Sequence, residues 1–426
     1  MTVRLLYGRH GLEIDLPQNC QPTLIEKPPM PVIEETMHAV HEALDGKYGA
    51  RLSDLARGKG SACVLICDIT RPVPNGLFLR PIIERLMGAG VPQAKISVLV
   101  ATGLHRPNVD DELAELVGDP WVLQNVVVEN HFAEDDAAHV HLGYTARNTP
   151  IRIDRRFIEA DLRIVTGLVE PHFMAGWSGG RKVIAPGIAH AETIRTFHNS
   201  RFMSDPRAVS CVLDGNPLHE EQLETAARVG ACWALNVVID DQRQPAFINF
   251  GEIVASHLEA VAFVDGYARV EVTRRFKTVV TSAAGYPLDK TYYQTVKGLV
   301  GPLDILEPGG DLIIASECSE GLGSKSYARV QERLVELGVD GFWHSIRDKD
   351  LADIDEWQTQ MQLKPMRKAR IHLYSGGLSD ADTALTGVEP ITSIGDAIAS
   401  AISRHGDGEV AFVPEGPYVV PKMVQA

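Results

Sequence analysis

The sequence predicts an α/β protein with two α/β domains, mainly parallel sheets and an active-site cleft between the domains. Three observations support this prediction. The chain has 426 residues, too many for one ordinary core and about right for two α/β units. Short β-branched runs alternate with longer helical patterns, as in βα units. Polar or glycine-rich loops follow the predicted strands, where an open parallel sheet binds its ligands.

The first half of the chain contains the candidate strands of one sheet. They are apolar runs bounded by Gly, Pro, Asp or Asn, and lie at 62–69, 95–101, 122–128, 162–169 and 233–239. Helical patterns lie between them, at 32–44, 79–87 and 191–196. The second of these helices is followed by Gly88 and Gly90, which suit a glycine C-cap.

The second half repeats the pattern after a long predicted helix at 251–275. A new strand begins at 278–282, so the domain boundary is predicted near residue 272, with domains 1–272 and 273–426. The first is expected to bind the cofactor and the second to close the substrate cleft. Further strands are predicted at 311–316, 370–374 and 409–413, and helices at 291–299 and 324–337.

Composition and charge exclude several classes of protein. The 45% apolar content is enough to bury two cores, which argues against a disordered chain. A net charge of −15 without a long Lys/Arg cluster disfavours nucleic acid and an anionic membrane as partners. Six dispersed cysteines lack the pattern of a disulfide scaffold. With no signal-like start and no apolar run of membrane-spanning length, a cytoplasmic location is expected.

Two motifs follow predicted strands. D-I-T-R-P at 68–72 ends the first of these strands, and its arginine can bind a phosphate or carboxylate through the guanidinium fork or simply belong to a charged turn stopped by proline. A-T-G-L-H-R-P at 101–107 follows the next strand. His105 is a candidate general base there, although a single loop histidine is also a common surface residue.

A third motif, E-P-H-F-M-A-G-W-S-G-G-R-K-V-I-A-P-G at 170–187, is the densest. The turn at Ser178, Gly179 and Gly180 can present backbone amides to an anion, next to Lys182. The spacing differs from G-x-x-x-x-G-K-[ST], so a nucleotide triphosphatase is disfavoured. Lys182 can act as a fixed cation, as a nucleophile of lowered pKa that bonds a cofactor, or as a solvated lysine.

Other candidates are isolated in the sequence. His198 follows the helix at 191–196 and is a candidate metal ligand, because neutral imidazole suits nickel, zinc and copper. Tyr293 and Lys297 are four residues apart on a predicted helix, next to Gln294, so they can bind a carboxylate or form an ordinary amphipathic face. Three histidines among acidic residues are interpreted as part of a solvated loop: His131, His139 and His141.

Taken together, the motifs resemble those of the nickel-dependent lactate racemases. D-x-T-R-P, A-T-G-x-H-R-P, E-P-H-x-x-A-G-x-S-G-G-x-K-x-I-x-P-G and a downstream F-H occur in that family's order and spacing. The Y-Y-Q-x-x-K helix extends the similarity into the second half. Each motif is weak by itself, and the combination is specific.

The resemblance implies a cofactor and a role for each residue. The cofactor is the nickel-pincer nucleotide, a pyridinium-3-thioamide-5-thiocarboxylic acid mononucleotide, covalently attached to Lys182, with His198 as the protein ligand of nickel. His105 and His172 form the acid/base pair, and Trp357 is a wall of the cleft. Around the cofactor the resemblance places Asp68, Thr70, Ser178, Gly179 and Gly180; Asp68 also supports Arg71 or a histidine. The substrate carboxylate is oriented by Arg71, Tyr293, Gln294 and Lys297.

The implied activity is inversion of C2 of lactate or a related 2-hydroxy acid by a racemase or epimerase. Hydride passes from C2 to the cofactor and leaves a 2-keto acid, while a histidine takes the hydroxyl proton. The expected partners are this small acid and the enzymes that make the cofactor. Two alternatives are a metal-dependent hydrolase with His105, His172 and His198 as ligands, and a nucleotide-binding module without turnover. Which 2-hydroxy acid is the substrate is left open.

Overall fold

Two six-stranded sheets form the framework of the computed structural model, which describes residues 1–424. This confirms the predicted α/β class. In chain order the strands are β1 (Gln21–Leu24), β2 (Ala62–Cys67), β3 (Ile96–Ala101), β4 (Val127–Asn130), β5 (Leu162–Leu168), β6 (Trp233–Ile239), β7 (Pro245–Glu252), β8 (Phe276–Ser282), β9 (Leu306–Ala315), β10 (Arg370–Tyr374), β11 (Glu389–Ile391) and β12 (Glu409–Val413).

The first sheet has the order β7-β6-β5-β2-β3-β4, and only its edge pair β6 and β7 is antiparallel. The second sheet has the order β11-β10-β9-β8-β12-β1 and is parallel throughout. The chain passes between the sheets at 272–276, next to the predicted boundary. However, β1 pairs with β12, so this part of the predicted domain 1–272 belongs to the second sheet.

Helices cover the sheets. The longer ones are α1 (Thr36–Leu44), α2 (Asn75–Gly88), α3 (Asp110–Val117), α4 (Ala191–Phe197), α5 (Pro217–Val229), α6 (Ile253–Ala268), α7 (Tyr292–Val300), α8 (Lys325–Ile346), α9 (Glu356–Lys368) and α10 (Ile394–His405). Across residues 1–424, none of the helices combines the length and the apolarity that crossing a membrane requires.

Two predicted elements are wrong in part. The run predicted as a strand at 122–128 begins as a short helix, Pro120–Asn125, because Asp119 accepts a hydrogen bond from the Trp121 amide and Pro120 suits the first helical position. The long helix predicted at 251–275 is only α6. It begins after Glu252, whose carboxylate caps two backbone amides, and it ends where Arg269–Val272 pairs with Val420–Met423.

The apolar run of β2 shows why the first sheet is buried on both sides. Its alternate residues Val64 and Ile66 pack in one core, while Cys63 and Leu65 pack in another. A central parallel strand covered on both faces needs apolar residues at successive positions. The strand therefore ends sharply at Asp68, at the carboxyl edge of the sheet.

Hydrogen bonds from the segment that connects α8 and α9 hold the second half of the chain against the first. The Asn199 amide donates to the Asp350 carbonyl (2.7 Å), and the Ser200 hydroxyl donates to the Arg347 carbonyl (2.8 Å). The backbone N–H of Ala352 donates to the Arg195 carbonyl (3.1 Å). These contacts set the amino-terminal end of α9 opposite the carboxyl edge of the first sheet.

Replacing Asp311 by alanine is expected to lower the free energy of unfolding by about 3 kcal/mol. Asp311 in β9 is fully buried and accepts hydrogen bonds from His372, Arg404 and His405 at 2.7, 2.5 and 2.6 Å, so its loss removes an acceptor that three side chains share and leaves the buried His372 without this partner. Urea unfolding at neutral pH measures the effect. The exposed Asp348→Ala variant is the control, with a change within about 0.5 kcal/mol; equal losses in both variants would contradict the prediction.

Candidate active site

A cavity of about 140 Å³ lies at the carboxyl ends of β2, β3 and β5, where the amino-terminal ends of α7 and α9 face it. This is the edge at which open parallel sheets bind ligands. The cavity brings together every site residue predicted from the sequence except Gly180: Asp68, Thr70, Arg71, His105, His172, Ser178, Gly179, Lys182, His198, Tyr293, Gln294, Lys297 and Trp357.

His105 and Asp68 form a hydrogen-bonded pair at the cavity. The Nδ1–H of His105 donates to Oδ2 of Asp68 (2.5 Å), and the hydroxyl of Thr70 donates to Oδ1 (2.6 Å). Burial opposes ionisation of Asp68, but the charge of His105 and these hydrogen bonds hold the pKa of the carboxyl below its usual value. Since Nδ1 carries the proton, Nε2 of His105 keeps a free lone pair and can act as a base.

His172 is held in the opposite tautomer. Its Nδ1 accepts hydrogen bonds from the backbone N–H groups of Met174 (3.3 Å) and Ala175 (3.1 Å), so Nε2 carries the proton of the neutral ring. Burial, followed by the charges of Lys182 and Arg71, keeps the pKa of His172 well below its ordinary value. The two histidines therefore differ: one is an acceptor at Nε2 and the other is a donor.

Three cationic side chains converge on the cavity. Arg71 pairs with Glu170 (2.9 Å), while the ammonium groups of Lys182 and Lys297 have no ion-pair partner within residues 1–424. Burial and the charge of Arg71 lower the pKa of Lys182 to about 7, and the same two effects hold that of Lys297 well below its usual value. A bound anion would relieve this repulsion, and the amine of Lys182 is partly neutral at physiological pH.

The glycine-rich loop is held in place by its own hydrogen bonds. The Ser178 hydroxyl donates to the Leu168 carbonyl (2.8 Å) and accepts from the Glu170 amide (3.0 Å), so it holds the loop as well as lining the cavity. Gly180, at φ +50°, lies behind the loop, where a Cβ would come within 2.8 Å of the His257 ring. The sequence placed Gly180 at the cofactor; it does not line this cavity, and its lack of a side chain lets it pack against His257.

Arg181 supports the same loop from beneath and was not recognised in the sequence. Its guanidinium is fully buried, donates to His219 Nδ1 (2.8 Å), lies 3.0 Å from His257 Nε2 and reaches the carbonyls of Ala175 and Trp177 (both 3.4 Å). Burial lowers the pKa of Arg181 to about 9. The third motif shows only that Arg181 precedes Lys182. The side chains that Arg181 contacts, His219 and His257, lie in helices α5 and α6, far away in the sequence.

His198 presents one ring nitrogen to the cavity. Its Nδ1–H donates to the Ile194 carbonyl (2.8 Å), which leaves Nε2 available as a metal ligand. Burial lowers the pKa of His198 to about 3, so the ring is neutral. Trp357 packs against it with ring centroids 5.0 Å apart and donates through Nε1 to the Tyr293 hydroxyl (3.2 Å).

The structure does not support the three-histidine hydrolase. Among residues 1–424 there is no group of three or more His, Cys, Asp or Glu side chains arranged to hold a metal ion. A metal bound at His198 would therefore need further ligands from outside these four residue types. Gln294 adds a buried carbonyl oxygen, Oε1, that has no hydrogen-bond partner within residues 1–424, which is a position for a ligand donor.

Three other cavity features were missed from the sequence: Glu170 as the partner of Arg71, Gln358, and Asp355. Glu170 lies in the third motif, but its ion pair with Arg71 depends on β2 and β5 being neighbours in the sheet. The interpretation of the histidines at 131–141 as a solvated loop is wrong in part, because His131 and His139 are 1% and 5% exposed. They pack edge to face with each other, and His139 packs in the same way with His190.

The fold and the site define a two-sheet α/β enzyme with paired histidines in a cation-rich cleft. A model of the lactate racemase N-terminal domain matches residues 7–210, and one of the C-terminal domain matches residues 273–420. The lactate racemase of Thermoanaerobacterium thermosaccharolyticum is 30% identical over 435 residues, with 98% of this chain and 99% of the relative covered. That of Lactiplantibacillus plantarum is 29% identical, with 90% of each chain covered.

Two solved structures have folds similar to that of this chain. The lactate racemase apoprotein from T. thermosaccharolyticum matches with a TM-score of 0.90 and 28% identity, over 99% of this chain and 100% of that one. A Thermotoga maritima protein matches with a TM-score of 0.70 and 17% identity, over 91% of this chain and 98% of that one, which shows the fold alone. The chain belongs to the lactate racemase family and is an isomerase.

Labelling of Lys182 by an amine-reactive reagent is expected to rise through a midpoint near pH 7. The ammonium form is disfavoured by burial and by Arg71, which lower the pKa of Lys182 to about 7, so the reactive neutral amine forms at a much lower pH than in an ordinary lysine. Mass spectrometry of the cofactor-free protein measures the profile, with the exposed Lys325 as an internal reference. A midpoint near pH 10 would contradict it.

Proposed function

We propose that the protein is a racemase or epimerase that inverts C2 of a 2-hydroxy acid and carries a nickel-pincer nucleotide. One observation carries the proposal: Lys182, with a lowered pKa and no ion-pair partner within residues 1–424, lines the same cavity as the neutral His198, whose Nε2 is free, and the histidine pair His105 and His172. Neither the metal-dependent hydrolase nor the nucleotide-binding module without turnover would use all four of these residues. The relatives named as lactate racemases support it.

The chain's residues fit the cofactor that the family resemblance implies. The amine of Lys182 would form the covalent link, and Nε2 of His198 would bind nickel. Around them, Asp68, Thr70, Ser178 and Gly179 line the cavity, while Gly180 supports the loop from behind. When bound, this group supplies a reversible acceptor for the C2 hydride.

The side chains on the other walls would bind and orient the acid. Arg71, Lys297 and the Tyr293 hydroxyl can hold the carboxylate, with Gln294 beside them. Trp357 closes the wall over His198. We propose that the second half of the chain, 273–426, acts as the domain that completes the cleft, since Tyr293, Gln294, Lys297 and Trp357 all belong to it.

The two histidines would act on the substrate hydroxyl group. Nε2 of His105 would take its proton and return it to the same oxygen once C2 has inverted. Nε2–H of the neutral His172 would keep its own proton and donate a hydrogen bond to that oxygen. The opposite tautomers of the rings supply an acceptor and a donor at once.

We expect the reaction to occur in the cytoplasm, with cofactor-making enzymes as partners.

Co-production with the enzymes that make the cofactor is expected to give a nickel-bearing covalent adduct on the chain, because Lys182 lines the cavity next to the glycine-rich loop and has a pKa lowered to about 7. Intact mass and nickel content measure the adduct, and chiral chromatography of lactate and related acids measures inversion. The Lys182→Ala variant should lack the adduct. An unmodified, nickel-free protein under conditions that load a known relative would contradict the proposed function.

Replacing Asp68 by asparagine is expected to lower kcat of the loaded enzyme roughly 100-fold or more, with a smaller change in KM. The amide no longer stabilises a protonated His105, by analogy with the carboxylate of a catalytic triad, while Arg71 and Lys297 still bind the carboxylate. Initial rates for both enantiomers measure it. The exposed Asp111→Asn variant is the control, and an unchanged kcat for Asp68→Asn would remove His105 as the base.

A further inference from the structure

A second cavity, of about 210 Å³, adjoins the active site on the side of His105. The two cavities adjoin and share seven lining residues: Asp68, Thr70, Leu104, His105, Tyr293, Gln294 and Asp355. The second cavity is larger than the first and far exceeds the single methyl group that lactate carries beyond C2. It therefore has room for a longer substrate.

Asp355 is the unexplained polar group of this space. It is 6% exposed and lines both cavities. Its Oδ2 accepts a hydrogen bond from the Ser324 hydroxyl, while Oδ1 has no hydrogen-bond partner in the part of the chain that the structure describes, residues 1–424. The residue has φ +69°, a left-handed conformation that aspartate tolerates better than most side chains.

The charges around the second cavity favour a neutral donor over an anion. The two cations at its mouth are already paired, Arg106 with Glu112 (2.6 Å) and Lys290 with Glu320 (2.6 Å). Asp68 and Asp355 add negative charge further in. A second carboxylate or a phosphate would be repelled there, whereas a hydroxyl group could donate to the open oxygen of Asp355. Since Oδ1 has no donor among the described residues, a hydrogen bond from a substrate hydroxyl group would use an acceptor that the protein leaves open.

We propose that the second cavity holds the substrate beyond C2 and that Asp355 accepts a hydrogen bond from a hydroxyl group on this part. The preferred substrate is then a 2-hydroxy acid of four or more carbons with further hydroxyl groups, not lactate or a diacid. This assignment rests on the proposed racemase or epimerase function. Asp355 selects the substrate, while the hydride and proton transfers belong to the first cavity.

The test compares three acids on the loaded enzyme: lactate, 2-hydroxybutanoate and 2,3,4-trihydroxybutanoate. We expect kcat/KM for the trihydroxy acid to exceed that for 2-hydroxybutanoate by 10-fold or more, since a site built for a hydroxyl group rejects analogues that lack it. Asp355→Gly, which suits φ +69° and removes the acceptor, should abolish this preference. Asp355→Asn, which keeps one acceptor oxygen, should give an intermediate preference.

Asp353→Asn is the matched control, because Asp353 lies on the same loop but lines neither cavity. It should keep the preference of the unmodified enzyme. A second readout, calorimetric binding of the trihydroxy acid and 2-hydroxybutanoate, is independent of turnover and should show the same loss in Asp355→Gly.

The outcomes separate the two proposals. Equal or faster turnover of lactate or 2-hydroxybutanoate would overturn the substrate assignment and leave the racemase function standing. Inversion of none of the three acids by a nickel-loaded enzyme would count against the proposed function, and calorimetry would then decide whether Asp355 binds a hydroxyl group. Equal binding of both four-carbon acids, or a preference unaffected by Asp355→Gly, would overturn the role of Asp355.

Discussion

The enclosure of three basic side chains in one cavity is the constraint on which the site depends. Arg71, Lys182 and Lys297 converge at the carboxyl edge of the first sheet, and within residues 1–424 only Arg71 has an ion-pair partner, Glu170. Burial and the charge of Arg71 lower the pKa of both lysines. The folded chain therefore holds a space that favours an anion and, at Lys182, an amine that can form a covalent bond near neutral pH.

The surrounding residues hold these three side chains in place. The Ser178 hydroxyl fixes the loop to Leu168 and Glu170, and buried Arg181 braces it against helices α5 and α6. From the second half of the chain, Trp357 covers His198. A cluster of like charges is unstable without such support, so the loop, the two helices and the facing domain form one framework.

Hydrogen bonds with Asp68 and with the backbone also give the two histidines different roles. His105 keeps a free acceptor nitrogen, and His172 keeps a donor. The space beyond them is lined by Asp355, which borders both cavities. On the proposed function, the proton is moved beside the histidines, and the part of the substrate beyond C2 lies next to Asp355.

The sequence by itself determined the α/β class and most of the site, because motifs at the ends of parallel strands must meet at one edge of the sheet. Only the tertiary structure decided the rest. Strand β1 joins the second sheet, Gly180 packs against His257, and Asp355 reaches the cavity from a loop in the second half of the chain. These outcomes depend on contacts between residues far apart in the chain. Local patterns of apolar and polar residues do not predict such contacts.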